Sequence, residues 1–181
     1  MTANLIERFI ARLTDVSGEY IKIDSEQNSA LRITQFLKDE KLTTLALSKG
    51  IFTSEEKQII ALQAEIIIDF DRETTQSQKD VIGLVNRTEV GISLAFGLIA
   101  ETGSVILRSK HRGDRLCSTL PEVNVICWDG YLIYETTTEF YADINPDLTY
   151  TLITGPSRTA DIEKTLVLGA HGPRRLVIFG A

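Results

Sequence analysis

Residues 43–70 read TTLALSKGIFTSEEKQIIALQAEIIIDF. Thr43–Ser48 is a short strand-forming run, and Ile66–Phe70 is an apolar, β-branched one of the kind buried in a parallel sheet. Between them Thr53 and Glu56 have capping-box spacing, which starts a helix running to about Leu62. Strand, helix, strand is the unit that closes two parallel strands, and the pattern repeats outward in both directions. Upstream, Leu5, Phe9 and Leu13 mark one face of an N-terminal helix, Tyr20–Ile23 a short strand, and Ala30, Ile33 and Leu37 a second helix. Downstream, a polar helix spans about Gln76 to Asn86. Val90–Ser93 reads as a strand and Leu94–Ala100 as a helical turn or two. Strands follow at Val105–Leu107 and Val123–Trp128, then a helix at Thr137–Ile144, a strand at Tyr150–Thr154, a helix at Arg158–Leu168 and a last strand at Leu176–Phe179. The alternation predicts an α/β protein with a Rossmann-like, mainly parallel sheet and flanking helices, one domain over 1–181 with a helical N-terminal lead-in.

The chain has 181 residues, enough to bury roughly 70% of its unfolded surface without disulfides or metals. Its 43% hydrophobic and 24% charged residues are ordinary globular values, and its net charge of −6 argues against a general nucleic-acid binder. Only two cysteines are present, Cys117 and Cys127, and neither they nor His111 and His171 have zinc spacing. A cluster needing four thiolates is not expected in this chain, and two reduced cysteines fit a cytoplasmic protein. The opening residues carry Glu7, Arg8 and Arg12 in an amphipathic pattern without a signal-peptide core, and no apolar run is long enough for a membrane span. The dinucleotide fingerprint, the P-loop and the hydrolase elbow are all absent.

Two segments concentrate chemistry. The first, Gly91–Ser104 (GISLAFGLIAETGS), places Glu101 and Thr102 before Gly103, a residue suited to positive φ or a close backbone approach. A carboxylate beside an apolar helix would have a raised pKa and could serve as acid, base or nucleophile; the favoured alternative is that Glu101 accepts backbone N–H bonds and closes the turn. The second runs from Thr154-Gly155-Pro156 through Ser157, Arg158, Thr159 and Asp161 to Gly169-Ala-His171-Gly172-Pro173. Ser157 is suited to cap a helix whose free N–H groups, with Arg158 and Thr159, would hold a phosphate or carboxylate. Asp161 either opposes the anion or orients Arg158. His171 is an acid/base group, a ligand contact, or a turn-shaping residue. Lys110, Arg112 and Arg115 read as a basic loop. The glycine turns at 103, 155 and 172 are expected together on one side, forming the ligand edge.

These two segments resemble the LutC/YkgG family, the lactate utilization protein C group with the LUD domain. The likeness rests on Gly91-Ile-Ser93, Ile99-Ala-Glu-Thr-Gly-Ser104, Arg115 with Pro121, and above all Gly155-Pro-Ser-Arg-Thr-Ala-Asp-Ile-Glu163 with Gly169-Ala-His-Gly-Pro173. It covers residues 88–181, and Ser93 stands where the family tends to have threonine. The resemblance implies a NagB/RpiA/CoA-transferase-like fold and a part in oxidising L-lactate to pyruvate, beside cysteine-rich partner subunits that carry iron–sulfur clusters. It implies no cofactor in this chain. The favoured expectation is a non-redox subunit that binds a small carboxylate or a partner surface and allows a homo-oligomer. The alternatives are a CoA-transferase-like or phosphosugar-isomerase-like enzyme using Glu101, by fold analogy, and an assembly protein whose motif residues only brace the fold.

Overall fold

Short β-branched runs separated by capped helices give this chain its central sheet. In order along the chain the elements are α1 (Thr2–Asp15), β1 (Glu19–Lys22), α2 (Ser29–Asp39), β2 (Thr44–Leu47), α3 (Ser54–Ala61), β3 (Glu65–Asp69), α4 (Gln78–Val85), β4 (Val90–Leu94), β5 (Gly97–Ile99), β6 (Ser104–Ser109), α5 (Arg112–Thr119), β7 (Val123–Trp128), β8 (Ile133–Tyr134), α6 (Thr137–Asp143), β9 (Thr149–Ile153), β10 (Arg158–Ala160), β11 (Leu166–Leu168) and β12 (Arg175–Gly180). The computed structural model describes residues 2–23, 28–71, 77–109, 112–156, 158–160, 166–168 and 172–180.

Six strands form the central sheet in the order β1-β12-β7-β4-β2-β3, and every pairing in it is parallel. The chain winds outward from β2 to β3 and then crosses back to β4, so the winding reverses between β2 and β4. A second sheet, β8-β5-β6-β9, is mixed: β6 runs antiparallel to both β5 and β9, while β5 and β8 are parallel. This layer is the main departure from the single sheet read in the sequence.

One face of the central sheet buries Leu45, Leu47, Ile92, Val125 and Phe179 under Ile33, Phe36 and Leu37 of α2 and Ile60 of α3. The opposite face is shared. Val81, Val85 and Cys117 of α4 and α5 cover Ala46 and Ile68, while Phe9 and Leu13 of α1 and Leu98, Val105 and Leu107 of the second sheet cover Ile126, Leu176 and Ile178. Helix α6 packs Phe140 on the outer side of the second sheet, against Ile99, Ile106 and Tyr134.

The expected capping box at Thr53 and Glu56 starts α3, with both reciprocal bonds present. Three local expectations are corrected. Leu94–Ala100 is not helical: β4 continues through Leu94 and Gly97–Ile99 forms β5, because Leu98 and Ile99 find partners in Val105 and Ser104. Arg158–Leu168 is not a helix either; Arg158–Ala160 and Leu166–Leu168 pair antiparallel, with Ala160 opposite Leu166. The continuous run Leu166-Val167-Leu168 has strand character, and the spacing of Ile162 and Leu166 imitates a helical face. The stretch read as a basic loop is partly helix, since α5 begins at Arg112.

Helices α1 and α2 both end in a six-to-one turn whose left-handed residue is not glycine. Gly18 N–H donates to Leu13 O at 2.8 Å with Ser17 at φ 64°, and Leu42 N–H donates to Leu37 O at 2.9 Å with Lys41 at φ 57°. Left-handed backbone costs a residue with a β-carbon about 1 kcal/mol. The exposed substitutions Ser17→Gly and Lys41→Gly should therefore each stabilise the protein by up to about 1 kcal/mol, raising the melting temperature by roughly 3 °C in a calorimetric scan.

Candidate functional site

The turn Ala100–Gly103 joins β5 to β6, and Gly103 N–H donates to Ile99 O at 3.0 Å. Because β6 runs antiparallel to β9, with Val105 opposite Ile153, this turn meets the chain leaving β9 at Thr154 and Gly155. The two motif segments, distant in sequence, therefore share a corner. A line of three hydroxyls crosses it: Thr102 Oγ1 lies 2.6 Å from Ser104 Oγ, which lies 2.7 Å from Thr154 Oγ1.

Both glycines of the corner press on the end of α1. Gly103 has φ 68°, and a β-carbon there would stand 2.4 Å from Leu13 N and 2.6 Å from Arg12 C. Gly155 has φ 76°, and its β-carbon would stand 2.3 Å from Val16 O. Each position needs glycine twice over, for its backbone angle and for the close approach of another backbone. The lead-in helix is thereby gripped by the motif.

The expected gathering of Gly103 and Gly155 is present, and Gly172 also precedes β12 on this side, where Arg174 N–H donates to Glu122 O at 2.8 Å. The edge differs from the expectation. The end of α1 leads directly into β1, so this corner lies at the amino end of the central strands, opposite the carboxyl edge where open parallel sheets bind ligands. The cause is that β5, β6 and β9 belong to the second sheet.

Glu101 is exposed. Its carboxylate accepts the Thr137 N–H at 2.9 Å, at the first residue of α6, and its own N–H donates to Glu135 O at 3.1 Å. The Thr137 N–H, then the Thr137 hydroxyl, and the charge of Arg8 hold the carboxyl below the usual glutamate range. This reverses the raised pKa expected of a carboxylate at the end of an apolar helix, because Glu101 sits on a solvated turn. It is ionised at neutral pH and bonds the start of α6 as a cap would.

Arg158 and Thr159 stand on β10, just past Gly155 and Pro156, rather than at a helix N-terminus. Ser157, Asp161 and His171 lie outside the described residues. Among the described residues no group of three or more His, Cys, Asp and Glu side chains is placed to hold a metal ion, and no helix is long and apolar enough to cross a membrane.

A second polar cluster, which the motif reading did not single out, occupies the carboxyl edge of the central sheet. Lys57 Nζ on α3 donates to Asp69 Oδ1 and Oδ2 at 2.9 and 2.8 Å and to Asp71 Oδ2 at 2.6 Å. Gly50 N–H donates to Asp71 Oδ1 at 2.8 Å. The sequence signal was the pair Asp69-Phe-Asp71 directly after an apolar strand.

A crystal structure of a DUF162 family protein from Deinococcus radiodurans has the same fold, with a TM-score of 0.70 at 20% identity over 99% of this chain and 98% of that one. An uncharacterized protein of Neisseria meningitidis serogroup B is 38% identical over 98 residues, 50% of this chain and 41% of that protein. Lactate utilization protein C of Geobacillus kaustophilus is 30% identical over 102 residues, and that of Macrococcus caseolyticus is 33% identical over 98. These alignments take in 52% and 50% of this chain, and the chain covers 42% of each of the two relatives. The LUD domain is matched across residues 6–179, almost the whole of the αβ framework described above, and the chain belongs to the LUD domain family.

Proposed function

We propose that this chain is a non-redox component of lactate utilization that binds a small carboxylate and works beside iron–sulfur partner subunits. The observation that carries this reading is its likeness to proteins named lactate utilization protein C across half of its length. The chain's own chemistry is in keeping with it. Its two cysteines, Cys117 and Cys127, are both buried, and burial pushes the Cys127 thiol up to about 12, so Cys127 is not disposed to act as a thiolate. Electrons would therefore be carried by partner subunits. In this reading Arg158 is the main anion contact, with Thr159 beside it and with Ser157, Asp161 and His171 supplied by the same motif. Glu101, Thr102, Gly103 and Gly155 hold the supporting corner.

The test is genetic and physical together. Deleting the gene should abolish growth on L-lactate and leave growth on a sugar unchanged. A plasmid copy carrying Arg158→Ala should fail to restore lactate growth although the purified variant melts within a few degrees of the native protein. A lysine at the same place should restore it poorly, because its point charge lacks the planar two-pronged donor geometry of arginine. Normal lactate growth of the deletion strain would sink the reading, and full rescue by a well-folded Arg158→Ala protein would remove Arg158 from it.

A further inference from the structure

Among the described residues, the layer between the central sheet and its cover of α5 and the second sheet contains three side chains whose polar atoms are closed off from solvent and have no hydrogen-bond partner. They are Asn124 on β7, with both Oδ1 and Nδ2 unpaired, Ser93 Oγ on β4 and Ser109 Oγ at the end of β6. Asn124 and Ser93 are each 1% exposed. Asn124 lies in register with Gly91 on β4 and Leu176 on β12, and Ser93 lies in register with Ile126, two residues farther along β7. Strand spacing and rise put the Asn124 and Ser93 β-carbons about 8 Å apart on the same face. Gly91 between them is pressed against α5, since a β-carbon there would stand 1.8 Å from Cys117 O.

A buried amide with neither atom paired is costly, and natural sequences avoid it unless something else is gained. Leucine repeats the branched heavy-atom outline of asparagine, with two bulkier methyl groups in place of the amide oxygen and nitrogen, and would remove that cost within this apolar face. We propose that Asn124 and Ser93 form the floor of a subsite for a small 2-hydroxycarboxylate, and that Asn124 sets the preference for a 2-hydroxy over a 2-oxo acid. The proposal rests on the reading above for its ligand class alone; the residues and the selectivity come from this layer. An amide presents a donor and an acceptor side by side. Its Nδ2–H donates to one carboxylate oxygen while Oδ1 accepts from the adjacent 2-hydroxyl, and the Ser93 hydroxyl donates to the second carboxylate oxygen. A 2-oxo acid offers only acceptors, so its carbonyl lone pair would face Oδ1 and leave that atom unpaired. A site built to bond a hydroxyl rejects the analogue lacking it. Because these atoms are sealed in the free protein, binding displaces part of the cover.

The experiment measures thermal shifts of the whole chain with L-lactate, pyruvate and acetate, for the native protein and for Asn124→Leu and Ser93→Ala. L-lactate should stabilise the native protein with an affinity at least about tenfold above that of pyruvate. Asn124→Leu without ligand should melt at or above the native temperature and lose the lactate shift. Ser93→Ala should fold normally and bind lactate about tenfold more weakly. A lactate shift retained in Asn124→Leu overturns the proposal and leaves the broader reading standing. A fall of several degrees in unliganded Asn124→Leu, or its failure to fold, also overturns it, since the amide would then be a structural group satisfied by internal water. Equal shifts with lactate and pyruvate overturn the selectivity. No shift of the native protein with any of the three acids removes both this proposal and the small-carboxylate reading.

Discussion

Gly103→Ala is expected to cost about 3 kcal/mol and to lower the melting temperature by roughly 10 °C. Two costs add. The residue holds φ 68°, where a β-carbon is penalised by about 1–2 kcal/mol. That β-carbon would also fall 2.4 Å from Leu13 N and 2.9 Å from Leu13 Cα, both atoms of helix backbone that cannot swing aside as a flexible side chain would. Relief requires α1 to lift from the second sheet, which exposes Phe9 and Leu13, both fully buried. Gly155→Ala should behave alike, with its β-carbon against Val16 O. Gly50 supplies the control: it has φ 72° and nothing within 4 Å of a built β-carbon, so Gly50→Ala carries the angular cost alone, about 1 kcal/mol. Hydrogen exchange along α1 should quicken in Gly103→Ala and Gly155→Ala and stay unchanged in Gly50→Ala. Equal losses of melting temperature for Gly50→Ala and Gly103→Ala would show that the corner does not grip the helix.

The same corner shows what a single sequence can and cannot reveal. Thr53 with Glu56, and the run Ile66–Phe70, are local signals, and they locate α3 and β3 because capping and β-branched burial depend on near neighbours. Segment 94–100 is a short apolar run in which helix and strand periods cannot be told apart, and in segment 158–168 the spacing of Ile162 and Leu166 imitates a helical face. Strand pairing, which the periodicity of one segment does not show, decided them: β5 against β6 in one case, β10 against β11 in the other. The second sheet was hidden for the same reason, since Leu107 finds its partner at Thr151 across the whole of α5, β7 and α6. The glycines at 103 and 155 were legible as special backbone positions, but what occupies the space beside them is α1, from the far end of the chain. Asn124 was also visible, as a polar residue within the apolar strand Val123–Trp128. Only the fold shows that its amide is left without a partner.

Lys57→Met should cost about 2 kcal/mol, or roughly 6 °C, at neutral pH. The Lys57, Asp69 and Asp71 side chains are only 15%, 9% and 30% exposed, so removing the ammonium leaves two carboxylates close together and poorly hydrated. Burial alone would lower the pKa of Lys57, but its hydrogen bonds to Asp69 and Asp71, and their charges, outweigh burial and hold it above the usual lysine value. Burial would likewise raise Asp71; the bonds from Lys57 and the Gly50 N–H, with the charges of Lys57 and Lys49, hold it below the usual aspartate value. The signs follow from linkage. The raised Lys57 contributes fully below the unfolded lysine pKa of about 10.4, and that contribution fades as pH rises through the higher folded value. The depressed Asp71 contributes above the unfolded aspartate pKa of about 3.9, and that contribution is lost as pH falls through the lower folded value. In Lys57→Met the two carboxylates lose the ammonium between them and repel, so the pair takes up a proton more readily in the folded state, and the variant gains stability as pH falls. The gap in melting temperature between native and variant should therefore be widest from about pH 6 to 9 and narrow steadily toward pH 4. A gap that stays constant from pH 8 to 4 would mean that Lys57 stabilises α3 through its methylene stem alone, with no contribution from its charge.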